Sequence, residues 1–143
     1  MIGIKFGKKT TNVGGQSSID CENLWQKFEI ENFGDKIPDK LSDEIYAVYF
    51  DYEGDYTKPY SYFIGSKLKI HSAAPQGLDS LIIPAGSFTK VIAKGKIPDC
   101  VANSWKDIWS SKTDRAYNYD FEVYDERRKD WNNAEVEIFV STN

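Results

Sequence analysis

The chain has 143 residues and a formal net charge of −4, enough length to bury a core and no basic excess for gripping a phosphate backbone. Its densest basic cluster, Arg127-Arg128-Lys129, is flanked by Asp125, Glu126 and Asp130, so direct nucleic-acid binding is not expected. With 41% hydrophobic and 28% charged residues the composition is that of an ordinary globular domain, and no run approaches the roughly 18 apolar residues of a membrane span.

In chain order, Ile2, Ile4 and Phe6 alternate with Gly3, Lys5 and Gly7, which predicts a first strand with one buried face. Ser17 and Asp20 have capping-box spacing, with Asp in place of the usual Glu. Behind them Cys21, Leu24, Trp25 and Phe28 form the stripe of an amphipathic helix, which Gly34 and Pro38 end. The stretch Ile45 to Tyr52 is rich in aromatic and β-branched residues and predicts a strand; Tyr60 to Ile70 predicts its returning partner in a hairpin. A loop follows, containing the single histidine, His71.

The order then begins again. Leu81 to Ala93 is strand-like, though interrupted by Pro84 and Gly86. A helix starting at Pro98 and Asp99 carries Val101, Trp105, Ile108 and Trp109 on one face. Tyr119 to Tyr124 and Glu135 to Val140 predict two more strands. Strand-helix-strand-strand thus occurs twice, displaced by about 75 to 80 residues, with Trp25 and Trp105 in matching places. The expected architecture is α+β: one domain over residues 1–143, built of duplicated β-α-β-β halves at about 1–70 and 81–143, with two main helices on an antiparallel sheet.

Standard catalytic sites lack parts. One histidine cannot build a zinc site or a histidine-based triad, no phosphate loop or dinucleotide fingerprint occurs, and A-G-S-F lacks the nucleophile-elbow pattern. No catalytic residue, metal site or cofactor is therefore expected. Cys21 and Cys100 lie far apart and read as two small buried residues. The N-terminus MIGIKFGKKTTN has no apolar signal region, which makes the cytoplasm the expected location.

What remains is carboxylate plus aromatics, and the aromatic fraction of 15% is high. On the strand D-F-E-V-Y-D-E, Asp120, Glu122, Tyr124 and Glu126 share one face, and Phe121 and Val123 the other. If Phe121 and Val123 anchor the core, Glu122 looks outward, into solvent or into a cleft. Periodicity alone leaves both open, solvent being the commoner fate of a charge. In a cleft, tyrosine hydroxyls and a bound cation could compensate the carboxylate, and aromatic faces add cation–π attraction.

The ordered set L-W-Q-K-F, E-I-Y-A-V-Y-F-D-Y-E-G-D-Y, Y-F-I-G, I-P-A-G-S-F, G-K-I-P, W-K-D-I-W, D-F-E-V-Y-D-E-R and E-V-E-I-F-V resembles the GyrI-like, or bacterial transcription activator effector-binding, domain. Within it the chain is similar to the integron-associated subgroup of cationic-drug-binding proteins. The resemblance spans nearly the whole chain and implies a duplicated β-α-β-β fold with a ligand cavity between its halves. It also implies a buried glutamate facing a lipophilic cation, a role that maps onto Glu122. Tyr46 and Tyr60 on the hairpin, Trp105 on the second helix and Tyr124 beside the glutamate are the candidate aromatic contacts; Trp25 and Phe28 read as core.

The expected function is a stand-alone, non-enzymatic binding module for lipophilic organic cations. No helix-turn-helix fits into the residues before Ile19, so a link to transcription would need a separate DNA-binding partner chain; a homo-oligomer is left open. Two alternatives follow from the resemblance. One is hydrolysis of reactive small molecules, with Glu122 as general base and Trp105 holding a flat substrate; the other is inhibition of a protein partner such as DNA gyrase.

Overall fold

Alternation and chain direction build a single sheet. The computed structural model describes residues 1–70 and 72–143, so the predicted loop position of His71 lies outside the described residues. Its strands are β1 (Ile2–Lys5), β2 (Ile45–Phe50), β3 (Ser61–Ser66), β4 (Asp79–Ser80), β5 (Ser87–Gly95), β6 (Asp120–Tyr124) and β7 (Ala134–Thr142). The helices are α1 (Gln16–Ile30), the one-turn α2 (Phe33–Lys36) and α3 (Asp99–Ser110). All paired strands are antiparallel, in the order β4-β1-β3-β2-β6-β7-β5. The fold is α+β, and its two β-α-β-β units meet at the central pair β2–β6.

Both faces of the sheet are apolar. Leu24 and Phe28 of α1, with Trp105 and Ile108 of α3, pack in one cluster with Ile2, Ile4, Ala47, Tyr62, Ile64, Val136, Ile138 and Val140. The opposite strand positions, Tyr46, Val48, Phe50, Phe63 and Val123, form a second cluster that Leu81 and Ile83 help to cover. On β6 the core packing expected of Phe121 and Val123 holds, whereas Glu122 is buried rather than turned outward. Phe121 and Val123 belong to the second cluster, whereas Glu122 and Tyr124 lie on the helix-covered face. Alternation separates the two sets but does not say which one the helices cover.

Two local expectations also change. Helix α1 starts at Gln16, after Gly15 at φ +73°, so Ser17 already lies inside the helix and cannot cap it. Buried Asp20 instead accepts hydrogen bonds from Thr10 Oγ1 (2.7 Å) and Gln16 Nε2 (3.0 Å), tying the β1–α1 loop to the helix. The predicted strand from Leu81 pairs only from Ser87 onward. Pro84 brings no N–H to a ladder, and the segment runs over the second cluster instead.

Candidate functional site

Strand β6 carries Glu122 into the helix-covered core, where it is 1% exposed. Opposite it on β2 stands Ala47, whose small side chain leaves room for the carboxylate. Tyr49, two residues along β2, and Tyr124, two along β6, aim their hydroxyls at it from either side. Tyr49 Oη donates to Oε2 at 2.7 Å and Tyr124 Oη donates to Oε1 at 2.6 Å. From above, Trp105 on α3 donates its indole N–H to Oε2 at 2.6 Å. The charged group is thus ringed by three aromatic donors from three elements.

A second aromatic layer supports the first. Trp25 on α1 donates its indole N–H to Tyr62 Oη (2.9 Å) and sets its edge against Tyr124, ring centroids 4.9 Å apart. Tyr49 packs against Tyr62 (4.9 Å), Trp105 (5.2 Å) and Tyr60 (5.7 Å). Tyr60 donates to Asn12 Oδ1 and reaches the glutamate only through Tyr49.

Of the expected site residues, the fold brings together Glu122, Trp105 and Tyr124, and holds Tyr60 one ring away. It does not bring Tyr46, which pairs with Val123 on the opposite face and donates to Glu44. The sequence reading missed Tyr49 and Tyr62 and assigned Trp25 to plain core. One signal was available: the internal repeat places Tyr49 opposite Tyr124 in role, as it places Ala47 opposite Glu122.

Burial pushes the Glu122 carboxyl above its ordinary range, and the hydrogen bonds from Tyr124, Trp105 and Tyr49 pull it part of the way back. Burial also raises Tyr49, Tyr62 and Tyr124, and the nearby carboxylate adds to the shift, so these phenols stay protonated as donors. The Cys21 thiol beside them is raised mainly by burial, so it stays a neutral thiol.

Next to this cage lies a second buried charge. Asp120, fully buried, accepts from Ser141 N (2.7 Å) and Oγ (2.8 Å), Tyr52 Oη (2.6 Å) and Arg115 Nη2 (2.8 Å). Two surface clefts, of about 480 and 540 Å³, open elsewhere; neither is lined by Glu122, although Phe28 and Ile45 in the first adjoin the aromatic layer. Among the described residues no group of three or more His, Cys, Asp or Glu is placed to hold a metal ion, and no helix is long and apolar enough to cross a membrane.

Comparison with known proteins gives a consistent picture. The model of the family described as Cass2, integron-associated effector binding protein, matches residues 1–141. An integron cassette protein from the mobile metagenome of Vibrio cholerae is 26% identical, with a TM-score of 0.73, over 99% of this chain and 88% of that one. The protein SAV2435, solved bound to tetraphenylphosphonium, has a TM-score of 0.77 at 19% identity, over 99% of this chain and 87% of that one, a likeness of fold. The Bacillus subtilis (strain 168) protein YobU, provisionally described as a transcriptional regulator, is 27% identical over 100 residues. That match takes in 68% of this chain and 62% of YobU, so the chain spans about three-fifths of that relative's length.

Proposed function

The chain belongs to the integron-associated effector-binding protein family, and from that premise we propose that it binds lipophilic organic cations, with Glu122 as their counter-ion. The observation that carries this reading is the carboxylate buried among Tyr49, Tyr124 and Trp105, with no cationic side chain among the described residues bonded to it. A charge in such surroundings is costly unless a partner compensates it. The three neutral donors compensate it in part. A bound cation completes the compensation, and each aromatic face it meets adds about 0.5 to 2 kcal/mol. Bulky cations with diffuse charge lose little hydration on entry, which favours them over small hydrated ions. The bound tetraphenylphosphonium of SAV2435, a protein of the same fold, is a ligand of this kind.

The rings fill the space over the carboxylate, so binding moves at least one of them. Trp105 and Tyr49 share Oε2, and losing one of these two donors leaves the other in place. A regulatory use follows the likeness to YobU: binding of a cationic compound is the signal that a DNA-binding element reads.

Calorimetry with tetraphenylphosphonium tests the core of the proposal. Glu122→Gln keeps the shape and removes the charge; its affinity is expected to fall by about tenfold or more. Equal affinity of variant and wild type would remove Glu122 from the role of counter-ion. Acidification should act in the same direction: the cation needs the ionised carboxylate, so affinity should fall as pH drops through the raised Glu122 value.

A further inference from the structure

Over the face of the Trp105 ring, the structure holds an arginine that uses little of its bonding capacity. The Arg115 side chain is 4% exposed, and its recorded hydrogen bond runs from Nη2 to Asp120 Oδ2 at 2.8 Å. Asp120 is already committed to Tyr52 and Ser141. Buried Nε and Nη1 of Arg115 have no hydrogen-bond partner among the described residues. Native proteins leave few buried donors unmatched, because each such N–H forfeits its hydration without return.

The guanidinium is nonetheless firmly placed. The Tyr117 ring lies 4.3 Å from its central carbon and the Trp105 ring 5.7 Å. Tyr117 reaches this position with φ +53°, a left-handed conformation that a bulky aromatic residue rarely adopts. Trp105 turns its face toward Arg115 and its N–H toward Glu122. A flat molecule that moves the indole aside therefore comes to lie between a carboxylate and a guanidinium with free donors.

We propose that Arg115 is a second anchor of the effector site, donating one of its unmatched groups, Nε–H or Nη1–H, to a carboxylate carried by the same molecule whose cationic part faces Glu122. The effector class is then an aromatic cation bearing a carboxylate, and this rests on the cation-binding reading of Glu122. A charge-assisted hydrogen bond from a guanidinium N–H to a carboxylate is stronger than one between neutral groups. The Arg115–Asp120 pair is neutral as a unit, so the incoming carboxylate meets unmatched N–H groups at a site without net charge.

Two xanthene dyes separate the contributions: tetramethylrosamine is the cation without a carboxyl group, and tetramethylrhodamine is its carboxylated counterpart. Fluorescence titration of both dyes gives an affinity ratio, carboxylated over plain, for each form of the protein. Arg115→Lys keeps a positive charge beside Asp120 and removes the Nε and Nη1 donors; it is expected to lower the ratio about tenfold, as loss of a charge-assisted hydrogen bond would. The double variant Arg115→Gln/Asp120→Asn, which leaves no unpaired buried charge, should lower it similarly. A ratio unchanged in both variants, or both dyes weakened equally, overturns the proposal and leaves Arg115 a structural group. Glu122→Gln distinguishes the two levels. If rosamine binding ignores that substitution, the cation-binding reading fails and the Arg115 proposal falls with it. If rosamine depends on Glu122 while the ratio ignores residue 115, the second anchor alone is lost.

Discussion

Glu122 accepts two donors on Oε2 but only one, from Tyr124, on Oε1 among the described residues. That asymmetry makes the two tyrosines unequal. Tyr124→Phe leaves Oε1 bare in a dry site, so the ionised carboxylate loses more than the neutral acid does, and the Glu122 value should rise further. The half-point of cation affinity against pH should move upward with it. Carbon-13 NMR titration of the Glu122 carboxyl in wild type and variant measures the shift directly; a fall in Tyr124→Phe would contradict the assigned hydrogen bond. Tyr49→Phe, which leaves Trp105 on the same oxygen, should have the smaller effect. How legible this was differs by residue. Periodicity favoured solvent for Glu122, on a face shared with Asp120, Tyr124 and Glu126, and only the family resemblance pointed it into a pocket beside Tyr124. Tyr49 was hidden because I-Y-A-V-Y-F is apolar or aromatic on both faces, so nothing in it favours Tyr49 over Tyr46.

At the scale of elements, the site depends on how closely the strands beneath it approach. Gly3 on β1 and Gly65 on β3 stand opposite each other on the face away from the helices. A Cβ on Gly65 would sit 2.4 Å from the Ile2 carbonyl oxygen and 2.7 Å from the Phe63 ring. Gly65→Ala should therefore force the β1–β3 pair apart and cost about 1 to 3 kcal/mol, in the range of other overpacked cores. A lower urea midpoint with an unchanged slope would register it; an unchanged midpoint would mean that the strands yield freely. The sequence announced the helices and most strands here because periodicity is a local property. It did not announce that Asp20 anchors a loop or that Arg115 finds Asp120. The partners lie within ten residues of each other, but their meeting depends on loop conformation, which residue type alone does not encode, and β7 supplies Ser141 to Asp120 from 21 residues away.

Across the whole molecule, the internal repeat sets Trp25 against Tyr124 and Trp105 against Tyr49, so each half's helix packs on the other half's central strand. Within this near-symmetric frame the charge is one-sided: Glu122 faces Ala47, its counterpart in the other half. Alanine at both positions would bury no carboxyl group, so on the proposed function Glu122 serves binding at some expense of stability. The pH dependence of folding tests this. The folded-state value of Glu122 is raised, chiefly by burial, while the unfolded chain titrates near ~4.3. Below the unfolded value both states hold the proton and the group imposes no ionisation cost. As pH rises through the window between the two values the unfolded chain binds fewer protons, so stability falls until the folded value is passed. Asp125, lowered chiefly by its hydrogen bond from Arg127, works in the opposite sense, losing its contribution as pH falls. Comparing wild type with Glu122→Gln cancels that background. The stability of Glu122→Gln relative to wild type should increase from pH 4 to pH 8 in ligand-free protein, and saturating tetraphenylphosphonium should offset the wild-type deficit at the upper end. Denaturant unfolding at several pH values measures the difference; a gap that stays flat with pH would show that Glu122 carries no ionisation penalty.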